Sequence, residues 1–445
     1  MRRSLRATVG AALLGAALLC AAATSTAAPG HDAPGAAPAL ADFLDAQGRL
    51  QLPAGYSGAI DPRGLRMQTA ADGTAVFVPG GERPAIEKIF GVSRGCNSEL
   101  EAIAVSASGT VYLGGLFTQC DDVPAGAVVS YDLRTRRFAA LGSGLRFSAS
   151  PQVVFGPEAL AFAVKGNELY VGGLFAFAGD QAARNLARWD GSQWHALDSG
   201  VDGRVRALAV SGDRLYVGGE FTNAGGQPAS RIAAWDGQAW RPLGSGVNDA
   251  VRAIVARASD VYVGGFFTSA GGQPASHVAR WDGSAWHALG SGTDRSVSSL
   301  ALLGDDLIVG GAFALAGGQP LTGIARWNGQ TWSSIGALHR GGIADASAIV
   351  AVGNELFVAG LFDGVDTASA RNVARYRNGI WSALGPPDAQ GIDGWARSLA
   401  VAGNLVYVGG YIREAGGVAA NDGAVFNGNG WSALGTDTPQ GIDGS

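Results

Sequence analysis

Apolar and polar positions alternate in short runs along most of the chain, and the runs recur as one unit. Its fullest copy spans Val205 to Val247, VRALAVSGDRLYVGGEFTNAGGQPASRIAAWDGQAWRPLGSGV. Within it VRALAV alternates and is closed by Ser-Gly-Asp, RLYVGG is a short β-branched and aromatic run, and RIAAW and AWRPLG flank an Asp-Gly pair. Alternation with a period of two, punctuated by glycine, predicts four short strands per unit joined by turns. Helical periodicity is nearly absent, so the chain reads as all-β.

Seven copies are counted by their glycine landmarks: Gly114-Gly115, Gly172-Gly173, Gly218-Gly219, Gly264-Gly265, Gly310-Gly311, Ala359-Gly360 and Gly409-Gly410, at spacings of 46 to 58 residues. Four-stranded units of this period cannot bury both faces alone, and radial stacking packs each sheet between two others. The pattern therefore predicts a β-propeller of four-stranded blades, with seven the preferred count. A membrane barrel would instead show alternating strands of ~10 residues with a lipid-facing apolar band.

The repeated aromatics fit that packing. Phe117, Phe175, Phe221, Phe267, Phe313 and Phe362 follow the glycines at one offset, with Ile412 in the seventh copy, as expected of an anchor between blades. Trp189 and Trp194, Trp235 and Trp240, Trp281 and Trp286, and Trp327 and Trp332 flank the turn, and Tyr376 with Trp381 and Phe426 with Trp431 continue the series. Repetition at one position reads as core packing rather than as sugar-binding platforms. Asp190-Gly191, Asp236-Gly237, Asp282-Gly283, Asn328-Gly329, Asn378-Gly379 and Asn427-Gly428 tolerate positive φ and predict tight hairpins.

The N-terminal part differs. Arg2, Arg3 and Arg6 precede an apolar segment that ends in small residues near Ala28, so residues 1–28 read as a secretory signal peptide. Leu19 before Cys20 argues against a lipoprotein signal. Residues 29–43 are rich in Ala, Pro and Gly and read as a flexible leader. Residues 44–95 form a non-repeat segment whose ADGTAVFVPGG echoes half a repeat, a hairpin expected to cap the first unit, and residues 96–445 carry the array. Export favours pairing Cys96 with Cys120, which flank the first repeat's opening strands. The net charge of −5, without a basic stripe, excludes a nucleic-acid binder. No later stretch is apolar for long enough to span a bilayer as a helix, so a secreted or periplasmic monomer is expected.

In the first copy, VYLGG followed by VVSYDLRTRRFAALGSG resembles the kelch repeat. The middle copies, with LYVGGEFTNAGGQPASRIAAWDGQAWRPLGSG, more closely resemble the kelch-like propeller repeats of Rax2-type cell-surface polarity proteins and of uncharacterised bacterial exported proteins. The resemblance covers roughly residues 100 to 435 and implies a propeller of about seven blades used for binding. It implies no particular activity, because one propeller scaffold carries many functions.

Catalytic signatures are sparse. A kelch-type copper oxidase needs clustered His and Tyr ligands, whereas His195 and His287 occupy one repeated position, His277 begins another strand, His339 lies in a loop and His31 in the leader. GxSxG, HExxH and GxxxxGK[ST] are absent. Glu101 and Glu158 read either as solvated edge carboxylates or as an acid/base pair at a central channel.

The informative positions are those that vary on the constant frame. Glu220, Phe266 and Tyr411 stand immediately after the glycine pair in three copies, where Leu116, Leu174, Ala312 and Leu361 stand in the others. Arg206, Arg252 and Arg397 share one position at the start of the innermost strand, near Trp395, the one tryptophan outside the hairpin pairs. These seven residues, Arg206, Glu220, Arg252, Phe266, Trp395, Arg397 and Tyr411, are the candidate binding set, with the arginines alternatively paired to Glu101, Glu158 or Asp249. The expected function is a non-enzymatic module binding an extracellular protein or glycan through its loop face, without metal or cofactor. A polysaccharide hydrolase or lyase and a structural surface component are the alternatives.

Overall fold

The computed structural model describes residues 65–69, 75–79, 95–147, 156–387 and 389–435. The chain divides into two units, Met1–Phe90 and Gly91–Ser445. In the first, Leu65–Thr69 pairs antiparallel with Ala75–Pro79. The signal peptide, the leader and the remainder of the capping segment lie outside the described residues.

Among the described residues the second unit is all-β and contains seven antiparallel sheets of the same strand order. The third sheet is typical: Val205–Ser211, Arg214–Gly219, Ile232–Trp235 and Trp240–Pro242 each pair with the preceding strand. The seventh adds the short strand Val418–Ala419. Successive sheets pack through their first strands, and the first strand of the first sheet, Leu100–Val105, also packs against Ile392–Ala402 of the seventh. There the Ser398 hydroxyl donates to the Leu100 carbonyl at 3.3 Å.

The aromatic repeats hold sheet to sheet. Phe117, Phe175, Phe221, Phe267, Phe313 and Phe362 are all at most 2% exposed, and Ile412 matches them. Phe313, for example, sits in one apolar cluster with Ala253, Val278 and Leu289 of the preceding sheet. Within each hairpin the paired aromatics face one another across the register, as Trp189 does Trp194 with ring centroids 5.2 Å apart. Their outer members also reach backward: the Nε1–H groups of Trp194, Trp286, Trp332, Trp381 and Trp431 donate to the carbonyls of Leu141, Leu243, Leu289, Ile335 and Leu384 in the preceding repeat. Each indole thus supplies apolar contact and one inter-sheet hydrogen bond; the buried Trp240 Nε1 has no such partner.

The hairpin turns differ from the sequence expectation. In most Asp-Gly hairpins only the glycine takes positive φ, as at Gly191, Gly237 and Gly283. The aspartate instead accepts backbone N–H groups, as Asp236 does from Gln238 and Ala239. Those bonds, with Arg241 beside them, hold the Asp236 carboxyl down to about 2. His195 and His287 occupy the place of Arg241 and bond the carboxylates of Asp190 and Asp282, which accounts for both histidines structurally. The two-residue turn with both φ values positive occurs at Asn378-Gly379. The loop rich in Ala and Gly after each Phe is itself a small ribbon, exemplified by Asn223–Ala224 pairing Gln227–Pro228 across Gly225 and Gly226, φ 58° and 74°.

Cys96 and Cys120 form the expected disulfide. They occupy a bridge position that the third, fourth and fifth sheets fill as Val201 with Ala224, Val247 with Ala270 and Thr293 with Ala316. The backbone pairing therefore stands without sulfur, and the bond adds a covalent closure over a separation of 24 residues. Replacing both cysteines by alanine is expected to leave the fold intact and to cost about 3 kcal/mol, from loop-closure entropy, read as a lower urea midpoint. An unchanged midpoint would refute that contribution.

Candidate functional site

The glycine pair and the innermost strand build the site together. In every sheet the pairing between the first two strands slips at a corresponding point, leaving out Glu101, Leu160, Arg206, Arg252, Ser298, Ser347 or Arg397, and in the seventh it slips again between Asp393 and Gly394. In the sixth sheet Ala346 is skipped along with Ser347. A β-bulge bends its strand and re-aims a side chain. All seven of these side chains line one cavity of roughly 100 Å³, together with Asp345 and Trp395.

The second glycine of each pair makes the bulge possible. A Cβ on Gly115, Gly219, Gly265 or Gly410 would overlap the carbonyl oxygen of Glu99, Arg204, Ala250 or Trp395, two residues before the bulged position. The residue after that glycine donates its N–H to the same oxygen, as Glu220 does to Arg204 at 2.8 Å and Phe266 to Ala250 at 3.0 Å. Because the first two strands are antiparallel, bulge, glycine pair and following residue all lie at one face.

Six of the seven candidate residues concern that cavity or its edge. Arg206, Arg252, Arg397 and Trp395 line it. Glu220 is ion-paired to Arg206, and Phe266 lies with its ring centroid 5.4 Å from the Arg252 guanidinium. The seventh, Tyr411, pairs in register with Trp395. Its hydroxyl bonds Glu99, which raises its pKa above the usual tyrosine range. Exposure is 36% for Trp395, 44% for Phe266 and 53% for Tyr411, so part of each of three aromatic rings is exposed beside the cavity. Sequence reasoning missed Asp345, Ser298 and Ser347, because serine at a bulge looks like any other strand residue.

The charges are unevenly matched. Arg397 bonds Glu101 at 2.9 Å and lies 4.7 Å over the Trp395 ring. Glu101 keeps only 13% of its side chain exposed, so it is no solvated edge carboxylate; burial raises its pKa, and the charge of Arg397 opposes the rise. Glu158 does not line the cavity and instead pairs with Arg204 at 2.9 Å. Asp345 accepts from the hydroxyls of Ser298 at 3.0 Å and Ser347 at 2.7 Å, and Ser347 accepts from Trp395 Nε1 at 2.8 Å. Arg252 has no carboxylate partner among the described residues, and Asp249 bonds the Ala250 N–H instead. Lost solvation, then the charges of Arg206 and Arg397, pull the Arg252 pKa below the usual arginine range against the opposing charges of Asp345 and Glu101. No group of three or more metal-ligating side chains occurs among the described residues.

Behind the face, one residue per sheet adopts positive φ before the third strand: Ala127, Asn185, Arg231, His277, Gly323, Asn372 or Asp422. Its carbonyl accepts the N–H of the second glycine, as Asn185 does from Gly173 at 3.1 Å. Asn185 and Asn372 add a side-chain bond, accepting the N–H of Phe175 at 3.0 Å and of Phe362 at 2.9 Å. In Asp422 burial raises the equivalent carboxyl to about 6, the Ile412 N–H opposing and Glu99 adding to the rise. A carboxyl raised in the folded state binds its proton more tightly there, so it destabilises the fold once deprotonated. Asp422→Asn is therefore expected to raise stability by about 1 kcal/mol above pH ~6, after discounting for solvent, and by nothing below pH ~4. Thermal melts at pH 7.5 and 4 measure this; equal gains at both would show that charge is not the cause.

No family model matches the chain, and no curated protein matches it. Among solved structures it is similar to the computationally designed Ika8 protein, at 19% identity over 71% of this chain and 82% of that one, with a TM-score of 0.43. It is also similar to extracellular domains of BT4673 from B. thetaiotaomicron, described as a one component and a hybrid two component system. Identity there is 10% and 11%, each with a TM-score of 0.46, and this chain spans 38% of the length of those chains. The all-β, propeller-like repeat architecture stands on this chain's own seven sheets. No helix among the described residues is long and apolar enough to cross a membrane.

Proposed function

We propose that the protein is a secreted, kelch-like β-propeller of seven blades that binds a glycan or protein ligand, without turnover, at the face where the bulged residues meet. The carrying observation is that seven inner strands each direct one residue into a single cavity while the surrounding frame repeats. Constant glycines and phenylalanines hold the frame; the residues they present differ from sheet to sheet, which is the division expected of a recognition surface. Seven blades and ring closure are supported by the packing of the first sheet on the seventh and by the Arg397 to Glu101 pair between them. Export is supported by the disulfide, which persists in oxidising compartments.

One observation favours the hydrolase or lyase reading: Glu101 and Asp345 enter the same cavity. Both carboxylates are occupied, Glu101 by Arg397 and Asp345 by two serine hydroxyls, an arrangement suited to fixing cations and rotamers. A thermal-shift screen of the protein against polysaccharide fragments and cell-surface proteins, with product analysis of every hit, separates the two. A ligand at 100 times its Kd adds about 2.7 kcal/mol of stability. A shift without products supports the binding module, and products overturn it.

A further inference from the structure

We propose that the cavity is an oxyanion site in which Arg252 receives the carboxylate of a hexuronate-bearing glycan whose sugar ring rests on the aromatic rim. The inference rests on the binding reading above and names its ligand class.

The fold does not require arginine at these positions. Leu160, Ser298 and Ser347 occupy the same bulge in other sheets, so a neutral or small residue satisfies the frame. Three guanidinium groups nevertheless enter one cavity of roughly 100 Å³, where like charges repel. Two are neutralised, Arg206 by Glu220 and Arg397 by Glu101. Arg252 forms no ion pair among the described residues: its ring contact is Phe266, it is largely buried, and Asp345 and Glu101 of the same cavity act on it only through their charge. A partly desolvated guanidinium without a bonded anion is costly, and its planar fork matches a carboxylate in two parallel bonds.

The surroundings narrow the occupant. The cavity is lined by three guanidinium groups and admits a carboxylate beside Arg252. A sugar ring carrying that carboxylate would meet the partly exposed Trp395, Phe266 and Tyr411, with Arg397 and Arg252 over one side of the first two rings. Exposed flat aromatics beside a carboxylate pocket suit a uronate better than an extended acidic peptide, which needs backbone partners.

The test is calorimetric titration of the protein with galacturonate, glucuronate and mannuronate oligosaccharides, methyl-esterified galacturonate oligosaccharides, and a polyglutamate peptide. At least one uronate series is expected to bind, and esterification or Arg252→Gln to weaken it at least tenfold, with Arg252→Lys intermediate. Because no bonded partner is lost and the repulsion from Arg206 and Arg397 is relieved, Arg252→Gln is expected to keep or raise the melting temperature. Equal affinity for the esterified chain overturns the anion site while leaving glycan binding intact. Binding of polyglutamate alone overturns the glycan assignment. A lower melting temperature for Arg252→Gln with unchanged affinity assigns Arg252 a packing role, and silence of every uronate overturns the inference outright, leaving the binding reading to the broader screen.

Discussion

Gly219→Ala is expected to destabilise the protein by roughly 4 kcal/mol and to abolish ligand binding at the cavity, although it adds a single methyl group. The added Cβ would overlap the Arg204 carbonyl and approach the Val205 backbone, neither of which can rotate away as a side chain would. Relief requires the bulge at Arg206 to open, which redirects that arginine and withdraws it from Glu220. The matched control is Gly226→Ala. There φ is 74° and nothing lies within 4 Å of the new carbon, so the cost is backbone strain of about 1 kcal/mol and the cavity is untouched. Urea denaturation of both variants measures the contrast. Equal small losses would show that the bulge does not depend on that glycine.

Phe313→Ala is expected to cost about 3–5 kcal/mol, the range for removing a buried aromatic ring. The ring is 1% exposed and packs with Ala253, Val278 and Leu289 of the fourth sheet and Val297, Leu307 and Val309 of its own, so the cavity opens between two sheets. Each sheet is anchored by strand pairing on one side and the Trp332 hydrogen bond to Leu289 on the other, so neither can collapse fully into the gap. Phe313→Leu retains most of the volume, and Ile412 shows that an aliphatic residue is accepted there in the seventh sheet. Its expected cost is about 1 kcal/mol, checked in the same denaturation series. A loss below about 1 kcal/mol for the alanine variant would remove Phe313 as an inter-sheet anchor.

The repeat, its strands, the phenylalanine anchors, the paired aromatics and the disulfide were legible in the chain because each is enforced locally or by repetition. Alternation with a period of two marks a strand wherever it occurs, and a residue type recurring at one offset in six copies reports a shared environment. The candidate residues were found by the complementary signal, variation on that frame, and the structure brings Arg206, Arg252, Arg397 and Trp395 to one cavity.

The turn chemistry was half legible. Asp-Gly marked the hairpins, but the aspartate acts there through its carboxylate, while positive φ at the position of Asn185, Arg231 and His277 carries no residue signature at all. The surrounding sheet over-determines that conformation, so many side chains are tolerated.

The sequence alone therefore determined the strand pattern, the seven units and the apolar anchors, because burial and backbone propensity act on each residue where it stands. Only the tertiary structure decided that a bulge in each unit turns a residue into a common cavity, that Glu101 meets Arg397 across nearly three hundred residues, and that Arg252 makes no ion pair among the described residues. Register slips and charge balance belong to pairs of strands and pairs of sheets, and such pairings exist only once the chain has brought its distant copies together.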